Sequence, residues 1–112
     1  MSMDLTPIMR ADRFNDAAPG ANTDILAADI TPSYGATLAI GVRLATASVF
    51  NLIETRDGVD VVIGMNLSVA LQAGDGYTFL WPCSPESSYN FQVETNGVIS
   101  ILRVHEMPAG VA

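Results

Sequence analysis

Turn signals recur along most of this chain at a spacing that leaves room only for short strands. Arg56-Asp57-Gly58, Gly74-Asp75-Gly76 and Asn96-Gly97 each punctuate runs of five to nine residues rich in Val, Ile, Thr and aromatics. Asp-Gly and Asn-Gly tolerate the positive φ that a two-residue hairpin demands, and Asn96-Gly97 is the strongest such signal here. No long run keeps a helical period. The expectation is an all-β fold, an antiparallel β-sandwich or a jelly-roll-like small barrel, with an extended N-terminal arm.

Period-two alternation places the strands. Gly35 to Leu44 sets Leu38, Ile40, Val42 and Leu44 on one face. The smaller Thr37, Ala39 and Gly41 share the other with Arg43, a pattern that suggests close approach by another layer or subunit. Ala47 to Thr55 is apolar on both faces, which suits a central strand or one covered by a partner. Val59 to Met65, a short piece at Val69 to Leu71, Tyr77 to Trp81, and Tyr89 to Val93 follow. In the last strand Val98, Ser100, Leu102 and Val104 fall opposite Ile99, Ile101, Arg103 and His105. A first strand is expected over Thr23 to Ile30. Strand order is not written in such a text.

Residues 1–22 are different. They carry Pro7 and Pro19-Gly20, and their apolar side chains keep no sustained period. The reading is an arm over 1–22 and a sandwich over 23–112. Leu5, Ile8, Met9 and Phe14 are more large apolar groups than a solvated tail normally holds, so they are the candidate partner-binding residues of the arm.

The 112 residues suit one domain. Hydrophobic residues make up 49% and charged ones 15%, a surplus that a small interior does not absorb, so a homo-oligomer is expected. No apolar run approaches the length that spans a bilayer, so no membrane is expected as a partner. Twelve acids against five Arg and no Lys give a net charge of −7, which repels phosphate and argues against nucleic acid. The residues around Met1 lack a basic start and an apolar core, so secretion by the general route is not expected.

The chemistry of sites finds little to work with. His105 is the only histidine, which leaves a multi-histidine metal site without ligands, and no G-x-S-x-G elbow occurs. Cys83 is alone, so no intrachain disulfide is possible. Asp57, Asp60 and Asp75 sit at turns, where Asp is favoured by its own backbone hydrogen bonds, and match no calcium loop. No catalytic, cofactor-binding or metal site is expected, and the chain reads as a non-enzyme. Tyr77, Phe79, Trp81, Tyr89 and Phe91 form either a core stripe or a platform for sugar rings; period-two placement on one face favours the core.

The segments Leu71-Gln-Ala-Gly-Asp-Gly-Tyr-Thr-Phe-Leu-Trp-Pro, Tyr89-Asn-Phe-Gln-Val and Ile99-Ser-Ile-Leu-Arg-Val-His-Glu resemble small structural proteins of tailed bacteriophages. The likeness spans about a third of the chain, in ordinary strand and turn residues. It implies a virion structural protein, most often a head decoration or cement protein that trimerises on the capsid. Its partner would be the major capsid protein, gripped by an N-terminal segment that adds to a capsid strand. It would be made in the host cytoplasm and end on the capsid surface. A tail or tail-fibre component acting as a carbohydrate-binding module is the alternative.

Overall fold

The computed structural model describes residues 6–15, 18–33 and 35–108. Among them there is no helix, and seven strands run β1 Ile8–Phe14, β2 Thr37–Leu44, β3 Phe50–Arg56, β4 Val59–Gly64, β5 Gly76–Pro82, β6 Ser88–Val93 and β7 Ile99–Met107. They form two antiparallel sheets, one ordered β1-β7-β2-β5 and the other β4-β3-β6. The protein is an all-β sandwich, and among the described residues no helix is long and apolar enough to cross a membrane.

Alternation fills the space between the sheets. From β2, Leu38, Ile40, Val42 and Leu44 are buried; facing them are Phe50 and Leu52 of β3 and Tyr89, Phe91 and Val93 of β6. Phe50 and Phe91 stack with ring centroids 5.5 Å apart. Burying each such side chain stabilises the fold by about 1.5–3 kcal/mol. β3 is the middle strand of its sheet and is covered on both faces, with Ile53 buried opposite Phe50 and Leu52.

Four expectations about individual elements give way. Residues 23–30 do not form a regular strand. They run beside β6 irregularly, bonded through Asn22 N–H to Val93 O (2.7 Å), Ile25 N–H to Phe91 O (2.9 Å) and a two-way bridge between Ile30 and Tyr89. The Asn90 side chain replaces the missing rungs, accepting from Leu26 N–H and donating to Leu26 O, both at 3.0 Å. Residues 69–71 keep one bridge, Ser48 to Leu71, and no strand.

Asn96-Gly97 is not a hairpin turn, because β6 and β7 lie in different sheets. Gly97 is needed for another reason: a Cβ there would come within 2.6 Å of the Thr46 side chain. Asp57-Gly58 is the two-residue hairpin, with φ of 52° and 75°. Finally, a bulge opposite Arg43/Leu44 pairs Ile99 with Leu44 and turns Ile99 inward, beside Leu102 and Val104.

Candidate functional site

Of the arm residues, Leu5 lies outside the described residues. Ile8, Met9 and Phe14 sit on β1, the edge strand paired with β7, and all three are exposed. Phe14 lies under the Arg103 guanidinium, 4.5 Å from its ring centroid.

The β1 edge is stitched by charge. A bulge between Met9 and Ala11 leaves Arg10 unpaired in the ladder and aims it inward. Its guanidinium meets the Glu106 carboxylate at 2.8 Å (Nε) and 2.6 Å (Nη2), and the Ser33 amide donates to the second carboxylate oxygen at 3.1 Å. Burial pushes the Glu106 carboxyl upward, but the Ser33 amide and Arg10 outweigh it and hold the pKa below the usual value. Arg103 pairs with Asp12 at 2.9 Å on the outer side. Arg13 donates to Ile25 O at 2.7 Å, tying β1 to the segment that covers β6.

Of the four sheet margins, three therefore carry a guard against strand addition. β1 has its bulge and four charged residues among Arg10, Asp12, Arg13 and the cross-strand Arg103. β6 is sealed by residues 22–30. β5 ends at Pro82, which has no N–H to offer.

β4 has none of these. Its register against β3 is unbroken from Arg56↔Val59 to Asn51↔Gly64. It contains no Pro, Lys or Arg, and its one charge, Asp60, accepts from Thr55 Oγ1 at 2.6 Å. Val59, Val61 and Val62 are all exposed. The turn that follows adds Leu67, 92% exposed, and Val69. Leu67 and Ser68 both hold positive φ, of 52° and 61°, and Ser68 folds back so closely on Gly64 that no side chain would fit there. A strained turn that presents a leucine to solvent spends stability on an apolar surface. In the sequence these valines mark only a strand, through the alternation of Val59, Val61 and Ile63 with Asp60, Val62 and Gly64. The signal that could have pointed to the edge is the absence of Lys, Arg and Pro across Val59–Gly64, with Asp60 its one charge.

The residues weighed for chemistry are dispersed. His105 is half-buried between Met9 and Ala39 on the outer side of its sheet. Burial, against an opposing backbone bond at Leu38 and with added repulsion from Glu106 and Glu54, pushes the Cys83 thiol up to about 11, so it is protonated at neutral pH and a poor nucleophile. Among the described residues no three His, Cys, Asp or Glu side chains converge as metal ligands would.

The aromatics face inward. Tyr89 and Phe91 are fully buried, and Tyr77, Phe79 and Trp81 are half-buried against the core. Tyr89 OH lies 3.3 Å from Glu54 and accepts from the Ser84 amide at 2.8 Å. Ser87 Oγ also donates to Glu54, at 2.7 Å, and Arg56 bonds Ser87 and Ser84, closing a network that fastens the 84–88 loop to β3. A sugar platform would rest on Tyr77 and Trp81 without Tyr89. Trp81 Nε1 is the one buried side-chain polar atom without a partner among the described residues, a cost of about 1–3 kcal/mol.

The outer face of β2 stays open. Gly41, Arg43, Gly76, Thr78 and Ile101 line a shallow depression of about 360 Å³ there, and no layer of the described chain lies on it. Gly41 is not forced by crowding, since the nearest atom to a Cβ would be Arg103 O at 4.0 Å.

No protein-family model, curated protein or solved structure matches the chain.

Proposed function

We propose that the chain is a non-enzymatic structural module that works by binding other protein surfaces, as a bacteriophage virion protein of the head decoration type. The phage assignment rests on the resemblance of residues 71–106. The observation that carries the broader reading is the placement of large apolar side chains at two sheet edges: Ile8, Met9 and Phe14 on β1, and Val59, Val61 and Val62 on β4. Surfaces of this kind favour protein partners, and an edge strand can extend a neighbour's sheet.

In this reading the major capsid protein is the partner, copies associate on the shell as the trimers the resemblance implies, and Leu5, Ile8, Met9 and Phe14 grip the capsid. Many modest contacts repeated over a symmetric shell resist pressure through avidity. The acidic surface faces solvent, away from packaged DNA.

The test is co-sedimentation with empty shells of the capsid protein encoded in the same genome. Saturable binding at a fixed ratio of copies per shell is the expected result. Changing Leu5, Ile8, Met9 and Phe14 together to Ser is expected to abolish it while circular dichroism stays that of the folded protein. Absence of binding by the folded wild type would overturn the capsid assignment and turn attention to a tail component or a glycan ligand.

A further inference from the structure

We infer that β4 is a self-association strand: two copies pair their β4 edges antiparallel about a two-fold axis at Val62, joining two three-stranded sheets into one of six. The inference stands on the edge itself and does not depend on a virion role.

The register fixes which groups are on offer. Arg56↔Val59 closes the Asp57-Gly58 hairpin, so the odd-numbered residues of β4 exchange hydrogen bonds with β3; Met65 N–H to Phe50 O at 3.0 Å continues the series. The amides and carbonyls of Asp60, Val62 and Gly64 therefore point to the open side, where no strand lies among the described residues.

Pairing Val62 with Val62 of a second copy uses all three. It sets Asp60 opposite Gly64, so the only charge on the strand meets a residue without a side chain, and the two aspartates stay apart. Val61 then faces Ile63 on one side of the sheet, and the two Val62 side chains meet on the other. No like charges oppose each other in this register, even though each chain carries −7.

The apolar area on offer is of the right order. Val59, Val61, Val62, Leu67 and Val69 together expose on the order of 500 Å² per copy, so two copies can bury at most about 1,000 Å² of it, near the lower bound for a specific interface. An isologous two-fold contact closes on itself, which also removes the hazard of an unguarded edge adding strands without limit.

The experiment is sedimentation equilibrium of the full chain across a concentration series, beside Val62→Lys and Leu80→Lys. Val62 is 60% exposed and Leu80 65%, so neither substitution disturbs the core. The wild type and Leu80→Lys are expected to show a dimer of the 11.8 kDa chain, and Val62→Lys a monomer with an unchanged far-ultraviolet spectrum. A wild type that stays monomeric, or an oligomer that survives Val62→Lys, would overturn the inference. Shell binding by a monomeric wild type would overturn it while leaving the proposed function standing.

Discussion

The β1 and β4 edges solve the same problem in opposite ways. Each closes one side of a sheet, and each exposes about three large apolar side chains. β1 interrupts its ladder with a bulge and uses the freed Arg10 to neutralise Glu106 inside the sandwich. β4 keeps a regular ladder and leaves its outer peptide groups and valines bare. The difference teaches that the charges of this chain, few as they are, do not guard edges evenly. Three of the five Arg act on or beside β1, and none belongs to β4. An edge that is blunted suits side-chain docking, whereas an unblunted one suits strand pairing.

The comparison breaks most easily at Arg10. Glu106 is 1% exposed at its side chain, while Arg10 is 33% exposed, so removing the arginine strands a buried carboxylate. Arg10→Ala is expected to destabilise the fold by about 3 kcal/mol, read from the urea midpoint. Arg103→Ala, which breaks the pair with Asp12 at 50% and 41% exposure, is expected to cost under about 1 kcal/mol. Equal losses would mean that the inward turn of Arg10 carries no special weight.

Acid tests the same pair. The Glu106 pKa in the fold lies below its unfolded value of about 4.3. Its contribution to stability is therefore complete above that unfolded value and is lost as pH falls through the folded pKa. Wild-type thermal stability is expected to drop below about pH 4, and Glu106→Gln, less stable at neutral pH, to show a shallower drop. Parallel pH profiles would show that other carboxylates govern the acid limb.

A smaller effect sharpens the β4 side. Leu67 holds φ of 52° with its side chain in solvent. Leu67→Gly is expected to stabilise the monomer fold by about 0.5–1 kcal/mol, because glycine takes that conformation without a Cβ penalty. The same variant is expected to weaken association of copies by removing apolar area.

Much of this fold was legible from alternation and turns. Leu38, Ile40, Val42 and Leu44 announce the inner face of β2, and Asp57-Gly58 announces the hairpin that makes β4 an appendage of β3. What alternation does not encode is pairing over long separations. Nothing local in residues 8–14 says that they pair with residues 101–106, or that Arg10 meets Glu106 across 96 positions. Residues 23–30 have strand-like composition, yet Asn90 meets their backbone with its side chain, so a regular ladder is not required there. Asn96-Gly97 carries a hairpin signal that the sheet order overrides, since the core needs β7 between β1 and β2. Within the candidate site, Ile8, Met9 and Phe14 were identifiable as surplus apolar groups. For β4 the sequence offers only the lack of Lys, Arg and Pro across Val59–Gly64, because a strand's place in its sheet decides whether its valines are core or surface.

The most direct test of this account is amide hydrogen exchange along β4 as protein concentration is raised. The amides of Asp60, Val62 and Gly64 are expected to gain protection in step with concentration, while those of β5, another edge without a covering segment, stay unchanged. Fast exchange of these three amides at every concentration, in a protein otherwise well protected, would contradict the claim that β4 is where copies meet.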